Sequence, residues 1–104
     1  MTTRTTSYGN PMRVFNGQTP DGLECSASLL MRRMGRWTLI VAIGSSRNAH
    51  GTVALPPGVQ PYEIPMGRPG ERRPSDKAIG QALLDCIDRD ARARRTQRAA
   101  SAHY

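Results

Sequence analysis

Most of the apolar positions lie over residues 11–55, alternating with polar ones over 23–31 and running nearly unbroken over 37–43, and the spacing turns helical near residue 75. The run Trp37-Thr-Leu-Ile-Val-Ala-Ile43 is rich in β-branched residues and stops at Gly44-Ser-Ser, which predicts a strand. Its Trp37, Leu39, Val41 and Ile43 fall on one face; Thr38, Ile40 and Ala42, also largely apolar, fall on the other. Such a strand is expected at the centre of a sheet. Met12 to Phe15 is read as another strand ending at Asn16-Gly17. Thr52 to Leu55 is read as a short one ended by Pro56-Pro57, with residues 45–51 as the hairpin loop before it.

Residues 19–35 fit two periods. A helix would use Thr19 as its cap, Pro20 at the first turn and Gly35 as its stop, with Leu23, Ala27, Leu30, Met31 and Met34 as its stripe. A strand would use Pro20-Asp-Gly22 as a turn, with Leu23, Cys25, Ala27, Leu29 and Met31 alternating against Glu24, Ser26 and Ser28. Gly22, Ser and Cys weaken the helix, so the strand is favoured, and Met31 to Arg36 becomes a hairpin turn. From residue 75 the period is helical. Ser75 is placed to cap and Asp76 to meet the positive helix end, while Ile79, Ala82, Leu83, Cys86, Ile87 and Ala91 share one face. The expected fold is α+β: an antiparallel β-meander of about four strands with one C-terminal amphipathic helix packed on one face.

The organisation read from this pattern is a flexible arm over 1–10, a single domain over 11–91 with a Pro/Gly-rich loop over 56–74, and a basic tail over 92–104. One helix covers one face, so the other face needs a cover. A second copy of the chain, giving a homodimer through the uncovered sheet face, is one answer, and folding of 56–74 over that face is the other.

Charge changes the picture most. The 104 residues carry 15 basic and 8 acidic side chains, a net +7, and all the basic ones except Lys77 are arginine. Arginine over lysine is what GC-rich coding gives. The surplus itself points to anionic partners and counts against an acidic DNA mimic. Three arginine groups stand out. Arg32, Arg33 and Arg36 lie on the expected turn beside Trp37, for which core packing is the plainer role. Arg68, Arg72 and Arg73 lie in the Pro/Gly-rich loop, whose Tyr62 and Ile64 are placed to anchor it to the core. Arg92, Arg94, Arg95 and Arg98 lie in the tail. Pairs at i,i+4 — Asp85 with Arg89, Asp88 with Arg92, Asp90 with Arg94 — are expected to occupy some of these, leaving Arg95 and Arg98 as contact residues.

Candidate chemistry is sparse. Cys25 and Cys86 lack metal or redox spacing and are expected to be free, buried thiols. Ser45, Ser46 and His50 are close in sequence but have no nucleophile elbow or third partner. Residues 17–22 are not a phosphate-binding Walker loop. No catalytic residue, metal ligand or cofactor is assigned, and an enzyme is not expected. The opening residues lack the apolar stretch of a secretory signal, and no apolar run is long enough to span a bilayer, so the expected setting is cytoplasmic, without a membrane partner. The leading expectation is a small, basic, non-catalytic binding protein. It would contact nucleic acid through Arg32, Arg33, Arg36, Arg68, Arg72, Arg73, Arg95 and Arg98. The alternative is a phage or mobile-element inhibitor or adaptor, for example an anti-defence or anti-CRISPR protein. It would dock the same arginines on an acidic or nucleic-acid-binding protein complex. Membership of a larger assembly is a third reading.

Overall fold

A computed structural model describes residues 11–32, 35–68 and 70–101. The fold is α+β. A four-stranded antiparallel sheet runs in the order β1 (Met12–Gln18), β2 (Glu24–Met31), β3 (Trp37–Gly44) and β6 (Tyr62–Met66). A small hairpin of β4 (Ser46–Arg47) and β5 (Val53–Ala54) extends from the end of β3, and α1 (Asp76–Ser101) closes the chain. The expected arm over 1–10, with Arg33 and the last three tail residues, lies outside the described residues.

The strand period prevails over the helical one for residues 19–31, because only β2 puts Cys25, Ala27 and Leu29 on a single buried face. They stand in register with Ile43, Val41 and Leu39 of β3, and all six are buried. Thr19 closes the preceding turn: its hydroxyl and carbonyl accept from the amides of Leu23 and Gly22. In β1 the register shifts between Arg13 and Phe15, a bulge on an edge strand that discourages pairing with another chain.

The fourth strand is not the one the sequence suggested. Val53–Ala54 pairs with Ser46–Arg47 in a sheet of its own, and the place beside β3 goes to Tyr62–Met66, read above as loop. Pro65 hides this strand in the sequence, but β6 is an edge strand and proline is tolerated there. The hairpin folds tightly onto β3. A Cβ at Gly44 would stand 2.5 Å from the Ala54 carbonyl, so glycine is required by space. Arg47 ties the hairpin down, donating Nε to Glu24 (2.7 Å) and Nη2 to the carbonyls of Gly17 and Cys25. The guanidinium holds the Glu24 carboxyl below its usual range.

The helix begins as its sequence predicts. Ser75 Oγ accepts from the amide of Ala78, three residues on. Ile79, Leu83 and Cys86 are buried against the sheet; Ala82, Ile87 and Ala91 are half-buried. Burying Ile79 and Leu83 favours docking by about 2 kcal/mol each. Burial pushes the Cys86 thiol up to about 11 and raises that of Cys25. The helix continues unbroken past Ala91 to Ser101, with Asp88–Arg92 and Asp90–Arg94 bonded along it. Good helix formers and acid-before-base pairs explain why the basic tail is helical over its described residues. Asp85 does not join Arg89; it accepts from Gln81 Nε2 instead (3.0 Å).

Asp90 is on the same stripe as Ile79, Leu83 and Cys86 and is only 6% exposed. Its carboxylate accepts from Tyr62 OH (2.6 Å) and Arg94 Nε (2.7 Å), and Arg94 Nη2 reaches the Ile43 carbonyl (3.3 Å). This clamp joins α1 to β6 and β3. The segment 55–61 passes on the helix side, where Leu55, Pro56 and Val59 face Val41, Ile43 and Tyr62 across a cavity of about 410 Å³. It therefore does not cover the opposite sheet face, where Ser26, Ser28, Leu30, Ile40 and Ala42 are half-buried.

Two outcomes follow. Leu39→Ala should lower unfolding stability by about 2–5 kcal/mol in urea titration, whereas Leu84→Ala, at a side chain 61% exposed, should leave it nearly unchanged. The hydrogen bond to Asp90, together with burial, pushes the Tyr62 phenol up to about 12, above its ordinary value of ~10. A raised folded-state value stabilises fully below pH ~10, and that stabilisation is lost as pH rises through about 12. Ultraviolet tyrosinate titration should show this late step in the native protein and lose it in Tyr62→Phe.

Candidate nucleic-acid interface

The first two arginine groups, over thirty residues apart in the chain, meet at one end of the sheet. The β2–β3 turn closes through Arg32 N–H to the Arg36 carbonyl (2.8 Å) and Gly35 N–H to the Arg32 carbonyl (3.2 Å). Gly35 has φ of 71°, a left-handed conformation that suits glycine. The loop after β6 then docks on this turn. Gly70 N–H donates to the Gly35 carbonyl (3.0 Å), and Trp37 Nε1 donates to the Glu71 carbonyl (3.2 Å). Trp37 is thus half-buried against the core, as expected, while its indole N–H staples the loop.

Inside the loop, Glu71 turns its carboxylate back onto the amide of Arg68 (2.6 Å), closing a tight bend. Arg32 pairs with Glu63 of β6 (2.9 Å), both side chains about half exposed. Arg73 pairs with Asp76 at the start of α1 (3.4 Å) and donates to the Pro74 carbonyl. Such exposed pairs are worth little in water and exchange readily for other anions. Arg36, Arg68 and Arg72 have no carboxylate within ion-pair distance among the described residues. Arg68 and Arg72 are exposed. Arg36 is half-buried, and its Nε is buried with no hydrogen-bond partner among the described residues.

The third group lies elsewhere. The helix starts beside the docked loop and runs away from it, so Arg95 sits about 28 Å from Asp76 along the axis at 1.5 Å per residue. There Arg94, Arg95 and Arg98 line a groove of about 320 Å³ with Ala91 and with Asp21 and Leu23 of the β1–β2 turn. Arg92 and Arg94 are held by Asp88 and Asp90, whereas Arg95 and Arg98 make no ion pair among the described residues. The eight arginines singled out in the sequence are therefore not one surface. Arg32, Arg36, Arg68, Arg72 and Arg73 form one end, Arg95 and Arg98 another, and Arg33 lies outside the described residues.

Sequence reasoning missed Glu63 and Glu71, and it paired Asp90 with Arg94 without its burial or its bond to Tyr62. Glu63 gave no local signal, because its partner Arg32 is distant in the chain, and the Glu71 carbonyl likewise takes the distant Trp37 indole while its carboxylate bonds locally to the Arg68 amide. Asp90 did give one, as a carboxylate on the apolar stripe of a helix. His50 belongs to a solvent-exposed turn in which Asn48 Oδ1 accepts from the amides of His50 and Thr52. No helix of the described residues is long and apolar enough to cross a membrane. Comparison of the chain with protein-family models, curated proteins and solved structures finds no match.

The docking of loop on turn has a direct test. A Cβ at Gly35 would stand 3.2 Å from the Gly70 nitrogen, on a residue already at positive φ. Gly35→Ala should cost about 1–2 kcal/mol and accelerate amide exchange at Gly70 while leaving the β2 and β3 amides protected.

Proposed function

We propose that the protein is a non-catalytic nucleic-acid-binding protein whose primary contact is the basic end formed by the 32–36 turn and the 67–73 loop. The observation that carries this reading is the docking of two separate arginine-rich segments onto each other. Among the described residues, Arg36, Arg68 and Arg72 have no carboxylate partner there. Holding like charges together is unfavourable unless an anion is to be met. A planar guanidinium donates in a fork that fits phosphate oxygens, and Arg68 and Arg72 are exposed. No descent into a groove is required of this end. It suits backbone contact, which fixes position without reading sequence.

Fluorescence anisotropy with labelled single- and double-stranded oligonucleotides tests the reading. Binding should persist near physiological salt and weaken as salt rises, because each neutralised phosphate releases counterions. Arg68→Glu with Arg72→Glu should weaken binding for all sequences alike and lower the slope of log K against log salt by about 2. Both side chains are exposed, so circular dichroism should be unchanged. Binding confined to low salt would contradict the reading and direct attention to an acidic protein partner.

A further inference from the structure

The helix carries its own arginine cluster away from the end just described, and the separation is large against the range of charge in solution. Arg95 and Arg98 stand beyond Asp90, the clamp residue, on the last turns of α1. The rise of the helix puts them about 28 Å or more along its axis from Asp76, where the helix follows the loop. The Debye length in physiological salt is about 8 Å, so the two clusters do not share one potential. No basic track joins them along the helix. Asp85 and Asp88 face solvent there beside Arg89, and Asp88 is bonded to Arg92. The molecule is elongated, about 50 Å in its longest dimension, and the clamp fixes which way the far cluster lies.

We propose that the two clusters are separate phosphate contacts, so that one molecule holds two nucleic-acid segments at once. This rests on the nucleic-acid reading above and adds a second, independent site to it. The turn-and-loop end takes one backbone through Arg36, Arg68 and Arg72. The helix end takes another through Arg95 and Arg98, which line a groove between helix and turn with Leu23, Ala91, Arg94 and the single carboxylate Asp21. The products of such binding are bridged strands or looped ones, formed without any contact between copies of the protein.

A capture assay tests this with the full chain. A mixed-sequence DNA oligonucleotide, single- or double-stranded as the titration selects, is immobilised. The protein is added near physiological salt, followed by the same oligonucleotide carrying a fluorophore. The protein should recruit the fluorescent strand to the surface. Arg68→Glu with Arg72→Glu, and separately Arg95→Glu with Arg98→Glu, should each abolish recruitment. Both variants should still bind the immobilised strand through the remaining cluster. Protein retained on the surface without recruitment would overturn the two-site proposal and leave the nucleic-acid reading intact. Recruitment that survives in both variants would also overturn it, since bridging would then come from self-association. Failure of the protein to bind the immobilised strand would sink the underlying reading itself.

Discussion

A carboxylate enclosed between helix and sheet sets the geometry of the whole molecule. Asp90 is almost entirely buried, and an ionised carboxylate in that position costs several kcal/mol unless it is bonded. Tyr62 and Arg94 occupy one oxygen each, and Arg94 spans on to the Ile43 carbonyl. The bonds bind helix, edge strand and central strand at one point. Apolar contacts from Ile79, Leu83 and Cys86 would tolerate some sliding of the helix, because hydrophobic burial has no direction. The clamp does not tolerate it. A step of one residue turns a helix by about 100°, which would leave the carboxylate and the phenol unpaired.

Fixing the helix at that end fixes what happens at both. Toward its start, Ser75 caps the helix directly after the loop that rests on the β2–β3 turn, so the loop has little freedom to drift from Trp37 and Gly35. Toward its finish, the helix overshoots the sheet and carries Arg95 and Arg98 beside Asp21. Charge is thereby concentrated at two ends of a small body rather than spread over it. Two acids are used in the same way: Glu24 and Asp90 each secure an arginine that also bonds a backbone carbonyl, while Asp88 pairs with Arg92 on the exposed helix face.

Much of the fold was legible because it depends on local period. β3 announced itself by β-branched content and helix α1 by spacing and cap, and the alternation of Cys25, Ala27 and Leu29 decided β2 over a helix. β6 was not legible, since Pro61 and Pro65 read as loop and only its place at an edge makes Pro65 acceptable. The pairing of β5 with β4 was equally hidden: two-residue strands leave no periodicity to detect. The candidate site was half legible. Composition picked out each arginine group, but whether two of them join depends on bonds between residues more than thirty positions apart. Nothing in the local sequence of Trp37 or Glu71 records that contact. The helical continuation past Ala91 was missed because the apolar stripe ends there, although intrahelical pairs and helix-forming residues carry the helix on to Ser101.

The central claim is that anionic strands meet this protein at its arginine-bearing ends and not on its sheet. Photo-cross-linking to an oligonucleotide carrying halogenated bases, followed by peptide mapping, tests it most directly. The account predicts adducts on peptides containing Arg36, Trp37, Arg68 and Arg72, and on the helix peptide around Arg95 and Arg98. Adducts concentrated on the open sheet face, at Ser26, Ser28 and Ile40, with neither end labelled, would contradict it.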